Sequence, residues 1–341
     1  LPPPAPVETI HDRLVMYNKT GGGKLEEDFR NSGVEFIRLE RQHPVDFRVV
    51  KQMRKLIRER DIRVVHTNQP VDGLHVFLAT LGMSVKHVLS FHGHIPDAKN
   101  LWASRILYLL TDVNVVGTHE FKTMLAGDLK LPLMSSRCEV VYYGVDKKRL
   151  EASGQKVRSE LGLADNSVLF GMVANFYAAA RKDHMTVCRA LPKLFQKFPN
   201  AHFIFVYAGG HTEDKEKLNA CVAYCNSQGI SQRVHFSEDR FAAKDVIHAL
   251  DVFVLSSLHE SFGIAVVEAM LLGKPCILSD IEVLVEVSDN GKCSSIFRRG
   301  DENDLAEKMI ELAENADQRK NLGAMGKRLA NDRYSIDAHL S

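Results

Sequence analysis

The sequence predicts a doubly wound α/β fold built twice in one chain, and three observations predict it. Short runs rich in β-branched and aromatic residues alternate with longer stretches of helical periodicity. The alternation falls into two sets, with a break near Gly144-Val-Asp-Lys-Lys-Arg149. The 341 residues suffice for two ordinary α/β domains. Parallel strands need crossover connections, so this alternation implies parallel sheets covered on both faces.

The first set of strands is expected at Leu14–Tyr17, Val34–Leu39, Arg63–Thr67, His87–Phe91, Val113–Gly117 and Glu139–Tyr143. Among the helices between them, Val49, Met53, Leu56 and Ile57 are spaced to form one apolar stripe. The second set is expected at Val168–Ala174, His202–Tyr207, Arg233–Phe236, Val252–Ser256, Pro275–Ser279 and Ser294–Phe297, with helices over Asp183–Phe198 and Asp304–Ala313. The stretch from 318 to 341 is helical, rich in Lys and Arg, and too long for a frayed end. The expected division is 1–145, 146–320 and a C-terminal helical piece, 321–341. A Rossmann-like half opens with a strand, a Gly-rich turn and a helix. Leu1–His11 is too short to supply these before the strand at Leu14, and Gly21-Gly22-Gly23 follows that strand, ahead of a short helical stretch, Leu25–Asn31. The first βα unit is either incomplete or continued by residues before Leu1; the second reading is favoured.

Composition narrows the function classes. Hydrophobic residues make up 45% and charged residues 26%, the profile of a globular protein. A formal net charge of +1 supplies no global field to draw the chain to nucleic acid. No apolar run reaches the roughly 18 to 20 residues needed to cross a bilayer. Leu1-Pro-Pro-Pro-Ala-Pro-Val7 lacks the features of a signal peptide, so a cytoplasmic location is expected. Six scattered cysteines, with only Cys221 and Cys225 close and no nearby His pair, read as reduced packing residues and not as a zinc site.

The most informative stretch is Ser256-Ser-Leu-His-Glu260-Ser-Phe-Gly-Ile-Ala-Val-Val-Glu268-Ala-Met-Leu-Leu-Gly-Lys-Pro275. A buried strand, Val252–Leu255, ends in small polar residues, passes a turn containing Gly263 and enters an apolar helix that stops at Gly273. Open α/β sheets bind ligands outside the carboxyl ends of their strands, and helix N-termini present free N–H groups to phosphate. Ser261, Phe262 and Gly263 are therefore candidate backbone donors to a diphosphate, with Gly263 allowing close approach. Glu268 lies one to two turns inside a helix whose other residues are nearly all apolar. A carboxylate there is costly unless paired or ligated, and a ribose diol is a suitable partner. Glu260 is placed to meet the other end of the same ligand; fully helical spacing would separate the two by roughly 12 Å along the axis. A structural pair fits the same residues, with Glu260 a helix-start acid and Glu268 partnered within the fold.

The Glu260-x7-Glu268 segment, with Ser-Phe-Gly inside it and Glu-Ala-Met-x-x-Gly-x-Pro after it, resembles the donor-site signature of family 4 glycosyltransferases. Other pieces resemble the family in the same order: Val140-Val-Tyr-Tyr-Gly-Val-Asp146, Val173-Ala-Asn175 followed by Arg181-Lys182-Asp-His184, and Phe205-Val-Tyr-Ala-Gly-Gly210. The resemblance runs from about residue 12 and is strongest from 140 to 300. It implies the GT-B fold, two Rossmann-like domains facing each other across a cleft, with 1–145 on the acceptor side, 146–320 on the donor side and the last helices crossing back to the first domain. By position it assigns the donor sugar to Glu260, the ribose to Glu268 and the diphosphate to Lys182. The family often carries Arg where this chain has Asn175, and Arg181 is the substitute cation. In Ser90-Phe-His92-Gly-His94 the resemblance places His92 against the donor sugar, while His94 is a candidate for the acceptor side and Gly21–Gly23 for the donor phosphates. The loop Ser279-Asp-Ile-Glu282-Val-Leu-Val-Glu286 departs from the family, which frequently has Gly or Pro there.

The expected reaction is retaining transfer of a sugar from a UDP- or GDP-sugar to a saccharide or lipid-linked hydroxyl, in the synthesis of cell-surface polysaccharide or glycolipid. No pair of acids reads as nucleophile plus general acid, so a front-face path is expected. No Asp-x-Asp motif is present to hold a metal between phosphates, so metal independence is expected, with no cofactor beyond the nucleotide sugar. Two other readings stand beside this one: a sugar-nucleotide epimerase of the same fold, and a non-catalytic nucleotide-sugar binder. Lys51, Arg54, Lys55, Arg58 and Arg60 give one helix a basic face, read first as a solvated surface and second as a contact for anionic lipid or a lipid-diphosphate acceptor.

Overall fold

The computed structural model describes residues 13–18, 31, 33, 35–93, 98–131, 137–177, 181–208 and 215–341. Gly21–Gly23, Leu25–Arg30, His94 and Gly209-Gly210, all singled out above, lie outside the described residues. The chain forms two compact units. One runs up to Val115 and takes in 126–139; the other comprises 116–125 and 140–341.

In the first unit β1 (Arg13–Asn18) pairs in parallel with β2 (Glu35–Glu40). A second sheet has the order β3 (Val64–Thr67), β4 (Lys86–Phe91), β5 (Val113–Val116), β6 (Cys138–Val140). The helices are α1 (Phe47–Glu59), α2 (Pro70–Thr80) and α3 (Ala98–Leu110), while α4 (His119–Leu129) begins in the stretch that belongs to the second unit. Val49, Val50, Met53 and Ile57 recur at helical spacing, and α1 buries them against Leu39 of β2 and Val76 and Ala79 of α2. Asp46 starts α1 by accepting from the Arg48 amide, and its own N–H donates to Nε2 of buried His75.

The second unit is a six-stranded sheet. Its strands are β7 (Val168–Val173), β8 (Ala201–Tyr207), β9 (Val234–Glu238), β10 (Val252–Leu255), β11 (Cys276–Ser279) and β12 (Ser295–Phe297), in the order β12-β11-β10-β7-β8-β9. All five pairings are parallel. The helices are α5 (Gln155–Glu160), α6 (His184–Lys197), α7 (Lys215–Ser227), α8 (Ala243–Ala249), α9 (Ile264–Leu271), α10 (Glu282–Val287), α11 (Glu302–Glu314), α12 (Ala316–Tyr334) and α13 (Ile336–Leu340). Every residue of β10 and β11 is buried, because both faces of the sheet are covered. From β7 the chain winds outward through β8 and β9, then returns to β10 and winds the other way. The crevice between the carboxyl ends of β7 and β10 is therefore the topological switch point, where such sheets bind ligands.

The twelve expected strands are all present, with one substantive correction. The strand expected at Glu139–Tyr143 ends at Val140, because Tyr142 and Tyr143 leave the ladder to pack on buried Phe262, at ring separations of 6.4 and 4.8 Å. Tyr334, the last residue of α12, closes the cluster edge-on at 5.6 Å from Phe262. Along α12 the backbone comes so close to the end of α9 that a side chain at Gly323 would fall on the Gly273 carbonyl. Helix α12 thus fixes the helix that carries Glu268.

Candidate functional site

The site grows from the end of β10. Past Leu255, the extended segment Arg181–Asp183 runs antiparallel to Ser256–His259, bridging at Lys182 and Ser257. The Asp183 amide donates to the Ser256 carbonyl at 3.0 Å, and the Leu258 amide to the Arg181 carbonyl at 2.7 Å. This zipper, between segments distant in sequence, delivers the Lys182 ammonium to Oε1 of Glu260, with which it forms an ion pair. The side chains are 16% and 11% exposed, so neither charge is well hydrated. Burial, helped by neighbouring Arg181, pulls Lys182 from 10.5 down to about 7. The adjoining carboxylate opposes that shift. Ser257 donates its hydroxyl to the same Oε1 at 2.9 Å.

Glu268 is the fifth residue of α9. Glu260 to Gly263 lies ahead of that helix, so the spacing between the two glutamates is only partly helical. Glu268 is half-buried, burial raises its pKa, and its carboxylate has no hydrogen-bond or ion-pair partner among the described residues. Such a carboxylate can accept hydrogen bonds from hydroxyl groups brought to it. Gly263 starts the helix at φ +89°, and a Cβ there would lie 3.0 Å from Cδ2 of Leu284, so both conformation and space call for glycine. Phe262 is 1% exposed; any ligand contact it makes is through its backbone. The Ser261 carbonyl accepts from the Thr118 hydroxyl at 3.3 Å.

The other expected residues fall as follows. Arg181 flanks the Lys182–Glu260 pair in sequence and is partly exposed. Asn175 follows β7, where its amide oxygen accepts from the Ala208 N–H at 2.9 Å and its nitrogen donates to the Tyr177 hydroxyl at 3.3 Å. It braces the ends of β7 and β8. His184 stacks on Phe176 at 3.8 Å, buried, with desolvation holding it near 4 and therefore neutral. In the first unit, exposed His92 lies just past β4, its Nε2 2.9 Å from the Asn68 amide oxygen.

Two residues of this neighbourhood carried no assignment from the sequence. Ser257 sits in a run of small polar residues that looks like filler, and only its position three residues before Glu260 signals a partner. Glu286 lies in α10, which the structure forms over Glu282–Val287 where the sequence reading expected a loop. It accepts from the His119 and Glu120 amides at 2.9 and 2.8 Å, holding the start of α4, and from the Tyr142 hydroxyl at 2.8 Å. Among the described residues no three His, Cys, Asp or Glu side chains converge as metal ligands, and no helix is long and apolar enough to cross a membrane.

Two parallel α/β units, one of them with a buried lysine–glutamate pair at its switch point, define a GT-B fold. The profile described as Glycosyltransferase Family 4 matches residues 10–149, and that described as Glycosyl transferases group 1 matches 167–315. The chain belongs to the family 4 glycosyltransferases. Among its relatives, the O-antigen biosynthesis glycosyltransferase WclY of Escherichia coli is 27% identical over 46% of this chain and 41% of its own length. The chain therefore matches less than half of that relative. The phosphatidyl-myo-inositol mannosyltransferase of Mycolicibacterium smegmatis is 25% identical over 89% of this chain and 74% of its own. Among solved structures, a glycosyltransferase from Rickettsia africae has a TM-score of 0.82 at 17% identity, covering 96% of this chain and 87% of that one. Anabaena HepE, in complex with UDP and glucose, has a TM-score of 0.80 at 18% identity, covering 96% and 90%.

Proposed function

We propose that the protein transfers a sugar, with retention, from a nucleoside-diphosphate sugar to a hydroxyl of a saccharide or lipid-linked acceptor. The observation that carries this is the pairing of Glu260 with Lys182 at the switch point, one turn ahead of a helix whose glutamate has no partner among the described residues. Lys182 and Arg181 take the diphosphate, together with the backbone N–H groups of Ser261 to Gly263. Glu268 accepts the ribose hydroxyls and Glu260 a hydroxyl of the sugar. The bond from the anomeric carbon to the β-phosphate oxygen breaks and the acceptor oxygen bonds to that carbon on the same face. The acceptor proton passes to the departing phosphate oxygen.

Lys182 stabilises the charge that grows on the leaving group. Glu260, paired with Lys182 before the donor binds and held by the Ser257 hydroxyl, is read as an anchor for the sugar and not as a nucleophile. With two cations at the phosphates, metal independence is the accompanying proposal. HepE's complex with UDP and glucose, and the UDP-Gal-dependent Escherichia coli transferase among the relatives, favour a UDP-sugar. WclY's part in O-antigen biosynthesis favours a cell-surface glycan as product. Peripheral membrane contact through α1 is part of the same reading. Exposed Phe47, Lys51, Lys55 and Arg58 recur on one face of that helix, opposite its buried residues.

The direct test is nucleotide release from a panel of UDP- and GDP-sugars, with and without saccharide and polyprenyl-diphosphate-sugar acceptors, in EDTA. Acceptor-dependent release with an axial-to-axial product by NMR is expected. An inverted product overturns retention, loss of activity in EDTA overturns metal independence, and conversion without acceptor points to the epimerase.

A further inference from the structure

We infer that Ser257 is a positioning residue, which holds Glu260 on the donor sugar once the diphosphate has drawn Lys182 away. The inference rests on the donor-site reading above and adds a residue that reading does not use. In the free protein Oε1 of Glu260 has two partners, the Lys182 ammonium and the Ser257 hydroxyl, while Oε2 has none among the described residues. A diphosphate arriving at Lys182 competes for the ammonium with more negative charge than one carboxylate offers. The carboxylate then loses its counter-ion as the sugar hydroxyls arrive, and at 11% exposure water cannot make up the loss.

Ser257 is built to stay when Lys182 turns. It is 1% exposed. Its N–H donates to the Ser279 hydroxyl at 2.8 Å, and that hydroxyl donates to the Leu255 carbonyl at 3.2 Å, so β10 and β11 both fix its position. Its hydroxyl is uncharged and directed at Glu260, and therefore offers the phosphate little. With Ser257 on Oε1, Oε2 is left to accept from the sugar. The hydroxyl thus serves the sugar end of the donor and not the nucleotide end.

The test is calorimetric titration of the full chain with UDP, UDP-glucose, GDP and GDP-mannose, for wild type, Ser257→Ala and Ser257→Thr, with thermal denaturation of each. Ser257→Ala is expected to weaken the bound nucleotide sugar about tenfold, the worth of one hydrogen bond to a charged group, and to leave the matching nucleotide within about twofold. Ser257→Thr restores the hydroxyl and with it the sugar increment; if its extra methyl group lowers the melting temperature, the Ala split alone decides. Equal weakening of nucleotide and nucleotide sugar, or no weakening of either, overturns the positioning role and leaves the donor site standing. Wild type that binds none of the four probes overturns the donor-site reading and this inference with it.

Discussion

The carboxyl edges of the two sheets are made of different materials. At β7 and β10 the edge is charged and largely buried, with Lys182 and Glu260 in contact and Glu268 about one turn inside the helix that follows. At β3 and β4 the pairs are uncharged groups, an exposed His92 beside Asn68 at 2.9 Å and His66 beside Ser90 at 2.6 Å, with partly buried Asp72 in the first turn of α2. A diphosphate needs fixed cations in a site of low polarity, where each is worth most. A hydroxyl acceptor needs only adjustable donors and acceptors, which imidazole and amide supply without the cost of burying charge. On the proposed function, the difference puts leaving-group chemistry on the second unit.

The hardest test of that division is Lys182→Ala. Loss of a preorganised charge at a leaving group lowers kcat by about 10²–10³-fold, and steady-state kinetics at saturating donor should show it. His92→Ala in the same assay should cost about tenfold, within the usual range for a lost hydrogen bond. If His92→Ala costs as much as Lys182→Ala, the two edges share the chemistry and the comparison fails. The pH profile adds a second readout. Burial lowers Lys182 to about 7, so its charged form is lost as pH rises through that value and kcat/KM for donor should fall on the alkaline side. Burial raises Glu268, so its carboxylate is lost as pH falls towards that raised value and sets the acid limb. In Lys182→Ala the alkaline limb disappears; a limb that persists belongs to another group.

Glu268→Ala should act on binding and not on the chemical step. A carboxylate that accepts ribose hydroxyls holds donor and transition state alike, so its loss raises the donor KM with kcat little changed. Two hydrogen bonds to a charged group set the expected rise at about 100-fold. A fall in kcat with KM unchanged would move Glu268 from the nucleotide to the reacting centre.

The sequence exposed these two edges unequally. Buried parallel strands are short apolar runs closed by small or polar residues, so Val252–Leu255 and Val168–Val173 could be placed within a residue or two. The helix start at Gly263 was legible from its glycine, and Glu268 from being the lone acid among apolar neighbours. The Lys182–Glu260 pair was not, since its members are 78 positions apart and meet only through the antiparallel zipper at Ser257. Tyr142 and Tyr143 misled for a related reason. Aromatic residues favour strands locally, but their packing partners, Phe262 and Tyr334, lie more than a hundred residues away. Local pattern located the elements; contacts between distant segments decided which side chains share a site.

Charge in the first unit gathers instead on the outer face of α1, where the comparison makes its smallest prediction. Arg54 there is committed to the Ala79 and Leu81 carbonyls at 2.9 and 2.8 Å, and Arg60 to Glu35. That leaves Lys51 and Arg58 exposed beside Phe47, which is 72% exposed. A cation held near an anionic bilayer contributes about 1 kcal/mol, so Lys51→Gln and Arg58→Gln should each weaken co-sedimentation with vesicles containing phosphatidylglycerol by about fivefold. Phe47→Ser should weaken it at high salt as well, since apolar insertion is not screened. None of the three should alter turnover of a water-soluble acceptor. Equal binding of wild type and variants to anionic and neutral vesicles would return this face to solvent; lost turnover on the soluble acceptor would place it, against the comparison, in the site itself.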